Sequence, residues 1–480
     1  MMIQVEQLYY GSFIGGNEIK NEKELEVQNP YNQEVLGKIS CATAENVREA
    51  VETADMVFRE TMRQMPAYQR SEILRKTADL LESRFEDFAK LLSLEAGKPI
   101  RESRGEVTRA IQVLRFASEG AKSMTGEQIP LDAAVGGEKQ IGIAKRVPLG
   151  VIATITPFNF PLNLVLHKVA PAIAAGNTVV LKPAEKTPFS SVMIYKLLEE
   201  AGLPKGAFNI VMGPGQELAD PLVTHPKVKK VTFTGSSTVG WKIKEMAKRK
   251  KVTLELGSNA PNIIFADADL DQAADAMVMG GYTYAGQACV SAQRIYVQKE
   301  VYEAFVSKLA EKARGLTMGD PLDEHTTLGP MITEDAAMRA ESWIKEAAEQ
   351  GAQIVTGGKR RGTFIEPTVI TNATPDMKIV CQEVFAPIVA VLPFETEEEV
   401  ISYANDSDYG LHAGVFTKDI ERAFRLADAL ETGGVWINEV SVRRYDHIPY
   451  GGVKQSGIGK EGVKYAMEDM TDIKFIGIKL

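Results

Sequence analysis

Cysteine is scarce in this chain: Cys41, Cys289 and Cys381 are the only three in 480 residues. Three thiols cannot found a disulfide framework, so a reducing compartment is expected. Histidine is nearly as rare. Its five residues (His167, His225, His325, His412 and His447) form no His-Glu-x-x-His, and there is no Cys-x-x-Cys. The usual spacings of metal ligands are missing, and no metal site is expected. Positive charge is also in deficit. At a net charge of −9 the chain lacks the basic face that nucleic-acid binding demands. Its densest basic cluster, Lys248-Arg249-Lys250-Lys251, reads as the polar end of a helix. The most apolar stretch, 150–181, is interrupted by Pro157, Pro161, His167, Lys168 and Pro171, so it does not supply the ~20 apolar residues of a membrane span. The opening MMIQVEQLYYGSFIGG has no basic segment leading into an apolar one, and no signal peptide is expected. A soluble, cytoplasmic protein is the expectation, with neither nucleic acid nor membrane as partner.

What the chain does have is length and a pattern. At ~100–200 residues per domain, 480 residues make two to four domains. Hydrophobic residues at 44% against 25% charged suffice to bury a core without staples. After N-terminal strands, apolar residues at helical spacing mark helices over 45–64, 68–96 and about 100–124. The breaker Gly97-Lys98-Pro99 ends the second. IPLDAAVGG and KQIGIAKRVP, between 128 and 148, look like two strands around a Gly-Gly turn. Then VIATI (151–155), TVVLK (178–182), FNIVM (208–212), KVTFT (230–234) and VTLEL (252–256) start at intervals of 27, 30, 22 and 22 residues. Such spacing fits βαβ crossovers in a parallel sheet, whose ligands sit at the carboxyl ends of the strands. A second α/β pattern follows, with helices near 269–284, 301–315, 335–350, 396–405 and 419–431 and strands near 294–298, 365–370, 388–393 and 434–437. The tail TDIKFIGIKL alternates apolar and polar residues, as a strand paired elsewhere would.

Gly457-x-Gly459-x-x-Gly462 has the spacing of a dinucleotide fingerprint, but it follows no βαβ strand and only 18 residues come after it. It reads instead as a mobile glycine-rich loop. The segment Phe233-Thr-Gly235-Ser236 to Gly240 is the better candidate, because a buried strand there runs through a Gly-Ser turn into a helix. Free N–H groups and the helix dipole at such a start attract a pyrophosphate; an ordinary turn with a serine N-cap is an equal alternative. Lys182 ends TVVLK; a lysine at a strand's carboxyl end can be a solvated surface group, but in this sheet it is placed to meet an adenosine ribose.

Cys289 lies in Gly286-Gln-Ala-Cys-Val, and a lone cysteine is usually a small buried hydrophobe. Its possible helpers are spread along the chain. Thr156-Pro157-Phe-Asn159-Phe160-Pro161 fixes an amide between two prolines just past a strand. Glu255 ends an apolar strand, where a carboxylate is costly to bury without a purpose or a partner. Glu383 precedes another apolar strand.

In this order and with these flanks, PFNFP, FTGS, LELG and GQ-x-C resemble the aldehyde dehydrogenase superfamily, from about Asn29-Pro30 to the tail. The resemblance implies that Cys289 attacks the aldehyde carbon, while Asn159 and the Cys289 N–H form an oxyanion hole whose donors are worth ~2.7–4 kcal/mol each. Hydride then passes to a nicotinamide, leaving a thioester, and Glu255 activates the water that hydrolyses it. The same resemblance gives Thr156, Pro157, Lys182, Glu185, Gly215, Gly235, Ser236, Glu383 and Phe385 to the cofactor. Within that set, Lys182 and Glu185 meet the adenosine ribose, Ser236 the pyrophosphate and Glu383 the nicotinamide ribose. Lys168 and Glu461 fall at positions thought to relay protons.

Relatives that hand the acyl group to coenzyme A generally lack a base at the Glu255 position, so hydrolysis is expected. Glu185 would accept from a ribose 2′-hydroxyl and repel a 2′-phosphate, which favours NAD over NADP. The run Tyr445 to Lys454, with KYAMEDMT after it, resembles the branch acting on lactaldehyde, glyceraldehyde phosphate, phosphonoacetaldehyde and similar small polar aldehydes. Arg109, Arg443 and Arg444 are candidates for an anionic group of such a substrate, surface ion pairs being the equal alternative. Ala288 stands where several phosphate-using members have Arg, and Phe160 where phosphonoacetaldehyde members have His, which speaks against a doubly charged group. The implied architecture is a Rossmann-like cofactor domain (1–124 and 148–257), an α/β catalytic domain (258–470) and a small β bridging element (125–147 and 471–480). The element would pair with a neighbouring subunit in a homodimer or homotetramer, since an unpaired edge strand is a liability. Acyl transfer to coenzyme A and a catalytically silent binding protein of the same fold are the rival functions.

Overall fold

The computed structural model describes residues 8–480. Residues 1–7, which begin the expected cofactor domain and the segment read for a leader, lie outside them. The five apolar runs form the core of an eight-stranded sheet. Lys251–Glu255, Val228–Thr234, Val151–Ile155, Thr178–Lys182 and Phe208–Ile210 lie side by side in that order, all parallel. Val151–Ile155 and Thr178–Lys182 are buried at every position, because helices cover both faces of a parallel sheet. Antiparallel strands close its edges, with Ser12–Ile14 and Asn17–Ile19 on one side. The other edge is Gly457–Ile458, paired with Leu254 and Glu255. The glycine-rich segment expected as a mobile loop is thus an edge strand leading to a buried Glu461.

The helical layer begins at Ala44–Glu60, where Thr43 and Asn46 form a capping box, and a short 3-10 turn, Met62–Gln64, takes the rest of the expected element. The segment expected as one helix over 68–96 is two, Ala67–Ser83 and Phe85–Ala96, broken at Arg84. Gly97 closes the second with a left-handed φ of 69°. Ile100–Ser123 runs as expected.

The second sheet has seven strands, in the order Gln353–Thr356, Thr368–Thr371, Ile388–Phe394, Arg294–Gln298, Pro261–Ile264, His412–Phe416 and Gly434–Ile437. Pro261–Ile264 and His412–Phe416 lie inside the sheet, yet the sequence pattern did not mark them. Both are short, and one begins at a proline while the other carries a glycine. Pairing on both sides, not propensity, makes them strands. Between 125 and 148 the first strand is Glu127–Ile129, and PLDAAVGG forms a 3-10 turn and loop instead of extending it. The tail Thr471–Lys479 pairs along its whole length with Gln140–Pro148 of its own chain. No helix among the described residues is long and apolar enough to cross a membrane.

Candidate active site

The carboxyl ends of the first sheet's strands face a loop of the second sheet across a cavity of about 330 Å³, the size of a small-ligand site. Asn159, Glu255, Glu383, Cys289, Arg109 and Arg444 all line it. Among the described residues, five of the eleven buried side-chain atoms without a hydrogen-bond partner belong to its lining: Asn159 Oδ1, Asn163 Oδ1, both Glu255 oxygens and Arg444 Nε. Buried polar atoms are rarely left unpaired, so the clustering marks a place for a polar ligand.

Local strain presents the thiol. Tyr284 and Ala285 hold left-handed φ values of 48° and 53°, followed by Gly286 at 68°. Non-glycine residues there cost ~1–3 kcal/mol each and persist only where their surroundings hold them. Glu102 accepts from Tyr284 N–H at 2.9 Å, and the Tyr284 hydroxyl donates to the Ala96 carbonyl at 2.6 Å. Cys289 then opens onto the cavity with its Sγ 3.0 Å from the Tyr450 hydroxyl. Burial pushes its thiol up to about 11, against the Tyr450 hydrogen bond and the Arg444 charge.

Asn159 is fixed from two directions. Its Nδ2 donates to the Gln287 carbonyl at 2.9 Å, and Gln287 Oε1 in turn accepts from Ile332 N–H at 2.9 Å. Glu106 accepts from the N–H groups of Leu162 and Asn163, each at 3.0 Å, and pairs with Lys98. Lys98 Nζ sits 3.9 Å from the centre of the Phe160 ring and 4.7 Å from that of Tyr284. One buried cation therefore joins the asparagine loop to the cysteine loop. In the sequence Lys98 was legible only as part of a helix breaker.

Behind the cavity runs an ionic network. Asp446 accepts from Arg109 (Nη2 2.7 Å, Nε 3.2 Å), His167 (2.7 Å) and Asn163 (3.2 Å). Glu461 holds Lys168 and, at 3.0 Å, Arg444, and Lys168 also donates to Thr234 at 2.7 Å. Burial opposes charge on both carboxyls, but His167 and Arg109 hold Asp446 well below the ordinary carboxylate range. Lys168 and Arg444 likewise hold Glu461 below it. Burial lowers His167, with Arg444 adding to the effect, so its ring is neutral at neutral pH. Glu255 has no such partner: burial, and then the charge of Glu461, pushes it well above the ordinary range.

Of the three candidate arginines, Arg109 and Arg444 reach the cavity. Arg443 does not; it is exposed, lies over Tyr445 and comes no closer than 3.6 Å to Glu439. It belongs with the surface ion pairs. The residues carried over for the cofactor fall in two groups. Lys182 is buried and pairs with Glu185 at 2.9 Å. Gly215 starts the neighbouring helix Gly215–Thr224, and a Cβ there would lie 3.5 Å from Lys182 Nζ. Pro157, Gly235, Ser236, Glu383 and Phe385 line the cavity, with Thr156 buried beside them. Ser236 caps the helix Ser237–Ala247 without a side-chain hydrogen bond, which leaves the first N–H groups to another acceptor. Glu383 accepts from Ser258 N–H at 3.0 Å, and desolvation raises it to about 7. A Cβ on Gly257 would collide with that carboxylate. Phe385 is held at a φ of 48°, edge-on to Phe158. An acceptor-free helix start, a buried lysine at a strand end and a strained aromatic lip together fit a dinucleotide. Among the described residues no cluster suits a metal.

A profile of the aldehyde dehydrogenase family matches residues 18–476. A 3-sulfolactaldehyde dehydrogenase of Priestia aryabhattai is 48% identical over 479 residues, covering 100% of this chain and 99% of that protein. Aldehyde dehydrogenase 21 from Physcomitrella patens, in complex with the reaction product succinate, superposes with a TM-score of 0.96 at 40% identity, covering 98% of each chain. A glyceraldehyde-3-phosphate dehydrogenase from Methanocaldococcus jannaschii complexed with NADP does so at 0.92 and 40% identity, covering 96% of this chain and 100% of the other.

The proton on Glu255 has a measurable consequence. The unfolded chain releases it near ~4.3, whereas the folded chain keeps it to a higher pH. Folding stability therefore falls as pH rises from that value, until the folded group also ionises. Glu255→Gln removes the penalty. The variant is expected to melt above the wild type at neutral pH, with the gap closing on acidification. Scanning calorimetry across pH reads both; a gap independent of pH would contradict the assignment.

Proposed function

This chain belongs to the aldehyde dehydrogenase family, and from that membership we propose that it oxidises a small 2-hydroxy aldehyde bearing one negative charge to its carboxylate. The observation that carries the substrate half is the charge of the ionic network at the Arg109 and Arg444 side of the cavity. Arg109, Arg444 and Lys168 are positive, while Asp446 and Glu461 are negative. With His167 and Glu255 neutral, and apart from Arg339 and Glu383, which line the same cavity at the end assigned to the cofactor, this network carries one positive charge. A sulfonate or carboxylate answers it; a phosphate dianion exceeds it, and Ala288 adds no cation beside the thiol. Arg444 Nε, buried and unpartnered, supplies a donor. The sulfolactaldehyde relative and the succinate-bound relative both handle such monoanionic ends.

The roles follow from the placement. Cys289 attacks the aldehyde carbon as its thiolate. Asn159 spends one amide N–H on Gln287 and has the second for the aldehyde oxygen, joined by the Cys289 N–H. A bound nicotinamide would supply the hydride acceptor, and Cys289 would then hold the acyl group as a thioester. Glu255, once ionised, takes a proton from water for its hydrolysis, and its raised pKa suits a base working near neutral pH. Lys168 and Glu461 form the relay behind it. Lys182, Glu185 and Gly215 hold the adenosine end, Gly235 and Ser236 the pyrophosphate, and Glu383, Phe385, Thr156 and Pro157 the nicotinamide end. A carboxylate at Glu185 favours NAD, with NADP as the alternative that the archaeal relative carries. We assign 1–124 and 148–257 to cofactor binding, 258–470 to catalysis and 125–147 with 471–480 to assembly as a homodimer or homotetramer. The exposed Ile473, Phe475 and Ile478 of the tail strand support that assembly. Three free cysteines suit a cytoplasmic setting.

An aldehyde panel with NAD and NADP, spanning neutral, carboxylated, sulfonated and phosphorylated substrates, tests the reading. The highest kcat/KM is expected for a sulfonated or carboxylated 2-hydroxy aldehyde with NAD, and a preference for the phosphorylated one would reject the charge argument. Hydrolysis is separated from acyl transfer by Glu255→Ala. It is expected to give one burst of reduced cofactor per site and a steady rate lower by about 10²–10⁴-fold; an unchanged rate removes Glu255 from the reaction.

A further inference from the structure

Cys289 has a second contact that the chemistry above does not use. The Tyr450 hydroxyl lies 3.0 Å from its sulfur, and the tyrosine is rigid. Its N–H and carbonyl both bond to Glu461, at 3.1 and 2.6 Å. The Arg444 guanidinium stacks 3.7 Å from its ring centre, and His412 packs edge-on at 4.8 Å. Phenylalanine would fill the same space, so the hydroxyl is not needed for packing.

We propose that Tyr450 is a catalytic residue of this chain: its hydroxyl, with the ring held under Arg444, donates the hydrogen bond that stabilises the Cys289 thiolate. The assignment rests on Cys289 being the nucleophile. The direction of the bond follows from protonation. Burial, and then the charge of Cys289, keeps the phenol protonated far above its ordinary range, so toward a thiolate it can only donate. The guanidinium over the ring draws electron density from the phenol and strengthens the donor. The need is specific to this site. Burial disfavours the thiolate, any charge on Glu383 disfavours it further, and Tyr450 and Arg444 pull the other way. Arg444 is already engaged by Glu461, and Arg109 by Asp446; Arg339 donates to the Val384 carbonyl at 2.7 Å, and burial holds His412 down to about 4, neutral at neutral pH. Among the described residues the phenol is thus the one side-chain donor in hydrogen-bond contact with the sulfur.

The pH dependence of iodoacetamide alkylation, followed on the Cys289 peptide by mass spectrometry in full-length protein without substrate, tests this directly. A hydrogen bond to a charged group is worth about 1.5–3 kcal/mol, so Tyr450→Phe is expected to raise the alkylation midpoint by about one to two pH units. The acid limb of the kcat/KM profile should move with it. Site-specific 3,5-difluorotyrosine at 450 keeps the fold and sharpens the donor, and is expected to lower the midpoint. If both variants keep the wild-type midpoint and only KM changes, Tyr450 is mere lining and the proposal is overturned. Failure of the wild type to oxidise any aldehyde would instead strike the reading of Cys289, without moving the alkylation result.

Discussion

Two buried carboxylates share one wall of the cavity, and only one of them is given cations. Glu461 holds Lys168 and Arg444 and stays ionised. Glu255 receives no hydrogen bond and feels Glu461's charge, so it keeps its proton. Groups of one chemical kind are driven to opposite protonation states by their surroundings, which is how a protein separates a fixed charge from a working base. Much of the surrounding architecture serves this difference. Glu255 ends a strand that is paired on both sides, and its carboxyl is buried. Glu461 is reached through the edge strand Gly457–Ile458, which pairs beside Glu255 and carries the chain back to the wall. The thiol is left in a dry, partly anionic setting where direct hydrogen bonding to the sulfur matters.

The elements that present these groups are costly and are held by groups remote from the chemistry. Three successive left-handed residues before Cys289 would relax if Glu102 and Ala96 did not accept from Tyr284. The Asn159 loop depends on Glu106 and Lys98, both buried. Breaking such a buried pair typically costs ~3–5 kcal/mol, so the pair acts as a fixed strut between the two loops. Strain and buried charge concentrate here because rigid placement matters more at this cavity than local stability does.

Much of this was legible in the sequence, for reasons that can be named. Continuous apolar β-branched runs fixed five parallel strands because buried strands admit little else. The acidic Glu255 at the end of VTLEL stood out because a buried carboxylate needs a reason. The inner strands Pro261–Ile264 and His412–Phe416 escaped notice, since their conformation comes from neighbours on both sides. The break at Arg84 escaped because the apolar spacing continues across it. Arg443 and Arg444 could not be told apart by sequence: adjacent residues in a loop point wherever the fold sends them, and only one lies under Tyr450's ring. Asp446 and Tyr450 were legible only as members of the run 445–454 and Lys98 only as part of a helix breaker, because each acts on a partner far away in the chain.

The account turns on Glu255 being neutral at rest, and infrared difference spectroscopy observes that proton without any turnover. Subtracting the spectrum of Glu255→Gln from that of the wild type cancels the other raised carboxyls, Glu95, Glu102 and Glu383. At neutral pH the difference is expected to contain a protonated-carboxyl C=O stretch that gives way to carboxylate bands as pH rises. Carboxylate bands alone at neutral pH would show Glu255 already ionised, and would contradict the division of labour between Glu255 and Glu461.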